Sequence, residues 1–165
     1  MAAYSLTNAD IIKGGHLMVF VNSTPIAFAT SHTFNKTLNT QEISTKDHGD
    51  FAAILPQNIS WEITTENLYS LTDYQTLNNT FKNKQEVTVA FGESTYSQST
   101  TQEGIVGVAQ ATNWALGSFY ESGKAYITSL NVTAGAGENA TFSATFTGNG
   151  ALSTTGGATG TFGGV

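Results

Sequence analysis

The chain has 165 residues, of which 39% are hydrophobic and only 11% charged, with a formal net charge of −6 and neither cysteine nor arginine. That length fits one domain with a real core, in which 2 Trp, 6 Tyr and 10 Phe supply much of the buried area. The acidic balance without arginine excludes a dedicated nucleic-acid binder, which needs clustered cations for phosphates; the missing cysteine excludes disulfides and thiolate metal sites.

The opening "MAAYSLTNADIIKGG" has neither the basic nor the apolar region of a signal peptide, and no run approaches membrane-spanning length, so a soluble, cytosolically made protein is expected. His16 to Asn22 is apolar enough for a buried strand; Asn22, Ser23 and Thr24 form a polar turn, and Pro25 suits a strand start before Ile26 to Thr30. Thr33 to Thr45 is Thr-rich and alternates loosely, as a long, partly exposed strand does. A polar loop with Gly49 follows, then "FAAIL", Pro56 and the strand "NISWEITTE". Here Ile59, Trp61 and Ile63 face one way, while Ser60, Glu62 and Thr64 face the other.

"LYSLTDYQTLNNTFKNKQ" is the good helix candidate, with Leu71, Tyr74, Leu77, Asn78 and Phe81 on one face and Ser70 or Thr72 as its cap. "EVTVAFGE" alternates with Val87, Val89 and Phe91 inward, and "STYSQSTTQEG" reads as a low-complexity polar loop. "KAYITSLNVTA" and "ENATFSATFTGNG" are two further strands joined by a Gly-rich turn; in the second, Ala140, Phe142, Ala144 and Phe146 alternate with hydroxylated residues. One helix and about eight strands predict a mainly β fold, a β-sandwich or barrel with one flanking helix and long inter-strand loops. The division is a domain over 1–152 and a Gly/Ser/Thr-rich tail over 153–165, flexible or serving as an arm.

The chemically suggestive residues crowd into "ISTKDHGDFAAILPQNISWEI". His48 with Asp47 and Asp50 could in type hold a metal. Yet His16 and His32 lie on separate elements and no H-x-H or H-x-x-x-H pair exists. No nucleophile-elbow motif supports a Ser–His–Asp triad, so a polar inter-strand loop is the plainer reading and no enzyme is expected. Gly14–Gly15 lacks the strand–loop–helix context of a phosphate cradle. Trp61 and Trp114 suit a core or interface better than a stacking platform.

Three stretches together resemble the phage major tail tube proteins of the long, non-contractile type: "ISTKDHGDFAAILPQNISWEITTENL", the helix followed by "EVTVAFGE", and "GKAYITSLNVTAGAGENATFSATFTGNGAL". The likeness covers roughly residues 5 to 152. It implies a structural virion protein, without cofactor, whose hexameric rings stack into a tube. The tube conducts genomic DNA without specific binding and meets a tape measure protein and terminator or distal tail proteins. The resemblance further implies a virion-tail location, assembly in the host cytoplasm and no membrane partner. Lys46, Asp47, His48, Asp50, Phe51, Ile54 and Leu55 become an inter-subunit loop. Strand alternation nominates Glu42 and Glu62 as lumen-lining candidates. A glycan-binding or adhesive β-sandwich and the tube protein of a contractile injection system stay open as alternatives.

Overall fold

The computed structural model describes residues 14–26, 28–49, 51–96 and 114–155. A single 3-10 turn, Gly14–His16, leads into β1 (Leu17–Val21), which pairs with the two-residue β2 (Thr24–Pro25). Asn22 and Ser23 carry the connecting turn at φ 49° and 68°, the left-handed pair that matches strand twist in a two-residue hairpin. Asn22 also exchanges two hydrogen bonds with Thr88 of the neighbouring strand, fastening the hairpin to the sheet. Then come β3 (Ala29–Glu42), β4 (Ile54–Leu68), α1 (Leu71–Lys82), β5 (Glu86–Tyr96), β6 (Trp114–Thr133), β7 (Thr141–Gly148) and β8 (Ser153–Thr155). The strands form one antiparallel sheet in the order β2-β1-β5-β6-β7-β4-β3.

β6 holds this sheet together because it runs through both halves. Its N-terminal half pairs with β5 and its C-terminal half with β7. β8 continues beside β6 where β7 leaves off, pairing Ser153 with Ser122 and Thr155 with Tyr120. The first three residues assigned to a separate tail are therefore part of the sheet; residues 156–165 lie outside the described residues. The N-terminal half of β6 was not read as a strand, because its Gly, Ser and Glu interrupt any alternation. Beyond Tyr96, the expected polar loop also lies outside the described residues.

The sheet folds over on itself, so that Val19, Val87 and Val89 meet Trp61, Ile63, Ala125, Ile127, Phe142, Ala144 and Phe146. These are the alternating inward positions of β1, β5, β4, β6 and β7, and period two places them on one face. A second cluster, Met18, Phe20 and Ala90, lies on the other face of β1 and β5. α1 closes one side through buried Leu77 and through Tyr74, whose ring meets Phe142 at 6.0 Å between centroids. Ser70 is its N-cap but makes no side-chain cap bond, and Leu71 and Phe81 at the helix ends stay exposed.

Trp61 sits at the crossing of the two halves. Its ring lies on Gly148 and Gly123, where a Cβ would come within 2.1 and 2.6 Å of indole carbons. Its Nε1–H donates to the Gly150 carbonyl at 3.0 Å. Strand β4 is thus bound to β6, β7 and the turn into β8 through one side chain.

The core has one polar end. Thr65 and Asn67 on β4 are fully buried, and Asn67 Nδ2 donates to Thr65 Oγ1 at 3.1 Å. His32, paired in register with Thr65, has both ring nitrogens buried without a hydrogen-bond partner. Burial pushes its pKa below the usual histidine value, since desolvation disfavours the imidazolium.

Two outcomes follow from this packing. Gly148→Ala loses about 1–3 kcal/mol in denaturant unfolding, because the methyl group and the indole claim one space. Gly135→Ala, where the nearest atom would be 3.6 Å away, stays within about 0.5 kcal/mol of wild type. Equal stability of the two variants would contradict the seating of Trp61.

The second outcome concerns pH. Below about pH 6.5 the unfolded chain protonates His32 while the folded chain resists, so the unfolded state binds more protons and stability falls as pH drops. Thermal melts from pH 7 to pH 5 should show a smaller loss for His32→Phe than for wild type. Parallel pH profiles would contradict the buried, unpaired imidazole.

Candidate functional site: the arm and the wall

β3 and β4 are longer than the sheet that receives them. β4 pairs with β7 only between Glu62 and Leu68, so from Trp61 back to Ile54 its only strand neighbour among the described residues is β3. Apart from half-buried Ala53, the residues of this hairpin described between 35 and 60 are exposed, forming a two-stranded arm that projects from the body. Ile59, expected in the core with Trp61 and Ile63, is 63% exposed for this reason: no strand covers it beyond the end of β7.

At its root the arm is gripped by the other half of the sheet. Phe34 makes edge contacts with Trp61 at 6.3 Å and with Phe91 of β5 at 5.4 Å. The Lys36 ammonium stands 4.9 Å from the centre of the Phe34 ring and pairs with Glu121 of β6. An exposed pair of this kind contributes at most about 1 kcal/mol; its effect is to orient the arm, since it joins β3 to a strand that β3 does not touch in the sheet.

The arm has two unlike faces. Cross-strand partners share a face, and the register pairs Lys36 with Trp61, Leu38 with Ile59, Thr40 with Pro56 and Glu42 with Ile54. Between the second and third of these pairs β4 advances three residues while β3 advances two, a bulge that brings Pro56 and Ile54 onto the side of Ile59 and turns Leu55 to the other side, opposite Gln41. This face continues the core outward as Ile59, Leu38, Pro56 and Ile54. On the opposite face Asn39 donates to Asn58, and Gln57 to Gln41.

That polar face continues onto the body as a wall of four strands. Its rows are Asn35, Glu62, Thr147 and Tyr126; then Thr33, Thr64, Thr145 and Ser129; then Ser31, Glu66, Ser143 and Asn131. Hydroxyls and amides satisfy one another here: Thr128 and Thr147 share a 2.8 Å bond, and Ser31 donates to Glu66 at 3.1 Å. Glu62 and Glu66 are the only charged members of these rows. At the wall's border Glu86 is held below the usual carboxylate pKa range by the Asn149 amide and then by the Lys124 ammonium, 3.1 Å away.

The sequence-nominated loop residues fall at the arm's tip. Lys46, Asp47 and His48 form a 3-10 turn, Asp50 lies outside the described residues, and Phe51 is 85% exposed. Ile54 and Leu55 belong to β4, paired with Glu42 and Gln41, so the loop is shorter than the expected Lys46 to Pro56. A bond from the Ile43 amide to the Ala53 carbonyl and one from the Ala53 amide to Ser44 Oγ narrow it further.

Glu42 and Glu62, nominated together, do not share a surface. Glu62 pairs with Asn35 on the wall, whereas Glu42 pairs with Ile54 on the apolar face. Odd and even positions of β3 point opposite ways, and the bulge sits on β4. Glu66 was missed, although it shares the parity of Glu62 and Thr64 along β4. Among the described residues no three His, Asp or Glu side chains gather as metal ligands.

Solved structures with this fold include the tail of an empty gene transfer agent particle with C6 symmetry, at TM-score 0.65 and 15% identity over 88% of this chain and 99% of that one. The virion of a native gene transfer agent particle matches at TM-score 0.63, again at 15% identity, with the same shares of the two chains covered. The SPP1 tail tube matches at TM-score 0.59 and 11% identity over 89% of this chain and 80% of that one. No curated protein sequence matches the chain. The profile of the phage tail tube protein family matches residues 20–154, nearly the whole described fold, and the chain belongs to that family.

Proposed function

We propose that the protein builds the tail tube as stacked six-fold rings, with the wall lining the lumen and the arm joining one subunit to the next. The observation that carries this reading is the two-faced arm. One surface extends the hydrophobic core into solvent, and the other extends a hydroxylated surface whose only charges are acidic. Exposed contiguous apolar surface marks a contact, and a head-to-tail contact generates closed rings or open stacks. The C6 symmetry of the gene transfer agent tail supports six as the ring number.

A wall whose rows carry no cation, and whose bordering Lys124 is paired with Glu86, suits a DNA conduit. Phosphates find nothing to exchange for their counterions, so no sequence-independent affinity develops. Glu62 and Glu66 repeat around the ring as a negative belt, while neutral Thr, Ser and Asn fill the rows between. A tape measure protein in the lumen before DNA passage, terminator and distal proteins at the tube ends, and assembly in the host cytoplasm complete the proposal.

Deleting Asp50 to Leu55 should leave a monomer that melts as wild type does, because none of the described residues from Phe51 to Leu55 belongs to a core cluster, but that forms no tubes by electron microscopy. Normal tubes from the deletion variant would remove the arm from the interface. Glu62→Lys with Glu66→Lys should slow DNA ejection several-fold at low ionic strength, and less at high salt as screening sets in. Glu42→Lys, on the contact face and away from the lumen, should eject DNA at the wild-type rate from whatever tubes it assembles. A slow Glu42 variant beside a normal Glu62/Glu66 variant would reverse the assignment of the two faces.

A further inference from the structure

Most of the exposed large hydrophobic residues fall on two parts of the molecule, the remaining Phe119, Tyr126 and Val132 lying on β6. Phe51, Ile54, Leu55 and Ile59 mark the arm, and Phe28, Tyr69, Leu71 and Phe81 surround α1. β4 connects the two ends: it begins at the arm tip and finishes at Leu68, immediately before α1. Its 15 residues span roughly 45 Å at about 3.3 Å per residue. The amide of Leu68 bonds to the Phe28 carbonyl and that of Tyr69 to the Ala140 carbonyl, placing α1, the start of β3 and the start of β7 at this far end.

At that far end a groove of about 370 Å³ opens between α1 and the β1–β2 hairpin. Val21, Pro25, Ile26 and Leu77 make its apolar lining, Thr76 its exposed rim, and Asp73 is its only charged residue. The volume is at the small end of what takes a compact apolar group. The arm tip presents an apolar knob and the complementary charge, with Phe51 85% exposed and Lys46 in the turn five residues earlier. Neither Lys46 nor Asp73 belongs to either ion pair of the described residues.

We propose that the α1–hairpin groove is the receptor for the arm tip of a second copy, with Phe51 entering the groove and Lys46 meeting Asp73. The proposal rests on the arm being an inter-subunit element and names the surface it engages. Knob and groove sit too far apart on one chain to meet, so each copy offers one of each and the contact propagates head to tail. A heterologous contact of this type has no built-in stop. One cation against one anion also sets register: like charges would face each other if the arm approached a second arm's Lys46, or the groove a second Asp73.

The natural chain lacks cysteine, so introduced pairs report without background. Phe51→Cys with Thr76→Cys, oxidised after tube assembly, should give a ladder of trimers and higher species on a non-reducing gel. A disulfide needs Cα atoms within about 7 Å, so the ladder can come only from neighbouring copies. Phe51→Cys with Thr145→Cys on the wall should give dimers at most. Tubes of the first pair that give no ladder would overturn the groove as the receptor. If that pair does not assemble, charge exchange decides. Lys46→Asp and Asp73→Lys each abolish tubes and the double exchange restores them, whereas tubes indifferent to both single exchanges overturn the proposal. Tubes from the Asp50–Leu55 deletion would instead show that the arm itself is no interface, a failure of the underlying reading and not only of its counter-surface.

Discussion

The fold depends on the seat of Trp61. A sheet that folds over on itself needs its two halves locked at the crossing, and one indole does this by lying on two glycines of β6 and β7 and donating to the Gly150 carbonyl. The arrangement is steric before it is energetic. Side chains at Gly123 or Gly148 would lift the ring, and β4 would lose its hold on the turn that carries β8. Phe34, Phe91 and the Lys36–Glu121 pair build on that seat, and together they set the direction in which the arm leaves the body.

From that fixed root a simple geometric fact generates the two surfaces. A strand pair has two faces, and once β7 ends, both are open to solvent. The face that continues inward to Trp61 and Ile63 carries Ile59, Leu38, Pro56 and Ile54; the face that continues onto the wall is polar apart from Leu55. No separate interface module is needed. The arm carries core chemistry on one side and wall chemistry on the other because alternation persists beyond the point where burial stops. The bulge on β4 preserves this separation by absorbing a residue where the two strands would otherwise drift out of phase.

The sparse charge belongs to the same logic. Surfaces that meet copies of themselves suffer less desolvation when they are neutral and polar than when they are ionic. Of the lysines among the described residues, Lys36 and Lys124 are consumed in ion pairs and none stands in the rows of the wall. β3, the long edge of the described sheet, is mostly Thr, Asn and other neutral residues, with Lys36 and Glu42 its only charges against the several that usually blunt such an edge. A free monomer with this edge is exposed to unwanted pairing.

The sequence by itself determined the local parities and the class of fold. Phe142, Ala144 and Phe146 alternate so cleanly that their burial was legible, as were Val87 and Val89, the turn at Asn22–Ser23, and the helix around Leu77. The opposition of Glu62 to Trp61 and Ile63 followed from the same period of two. Tertiary structure decided where burial stops. Ile59 has the same parity and chemistry as Ile63, and only the end of β7, set by the turn after Gly148, leaves it in solvent. Tertiary pairing also decided that Glu42 and Glu62 lie on opposite faces, that Ser153–Thr155 close beside β6, and that the arm tip and the α1 groove stand at opposite ends. Alternation is written residue by residue along one strand. Register, strand length beyond the neighbour and the Trp61 seat depend on residues 60 to 90 positions away, and no local pattern carries that information.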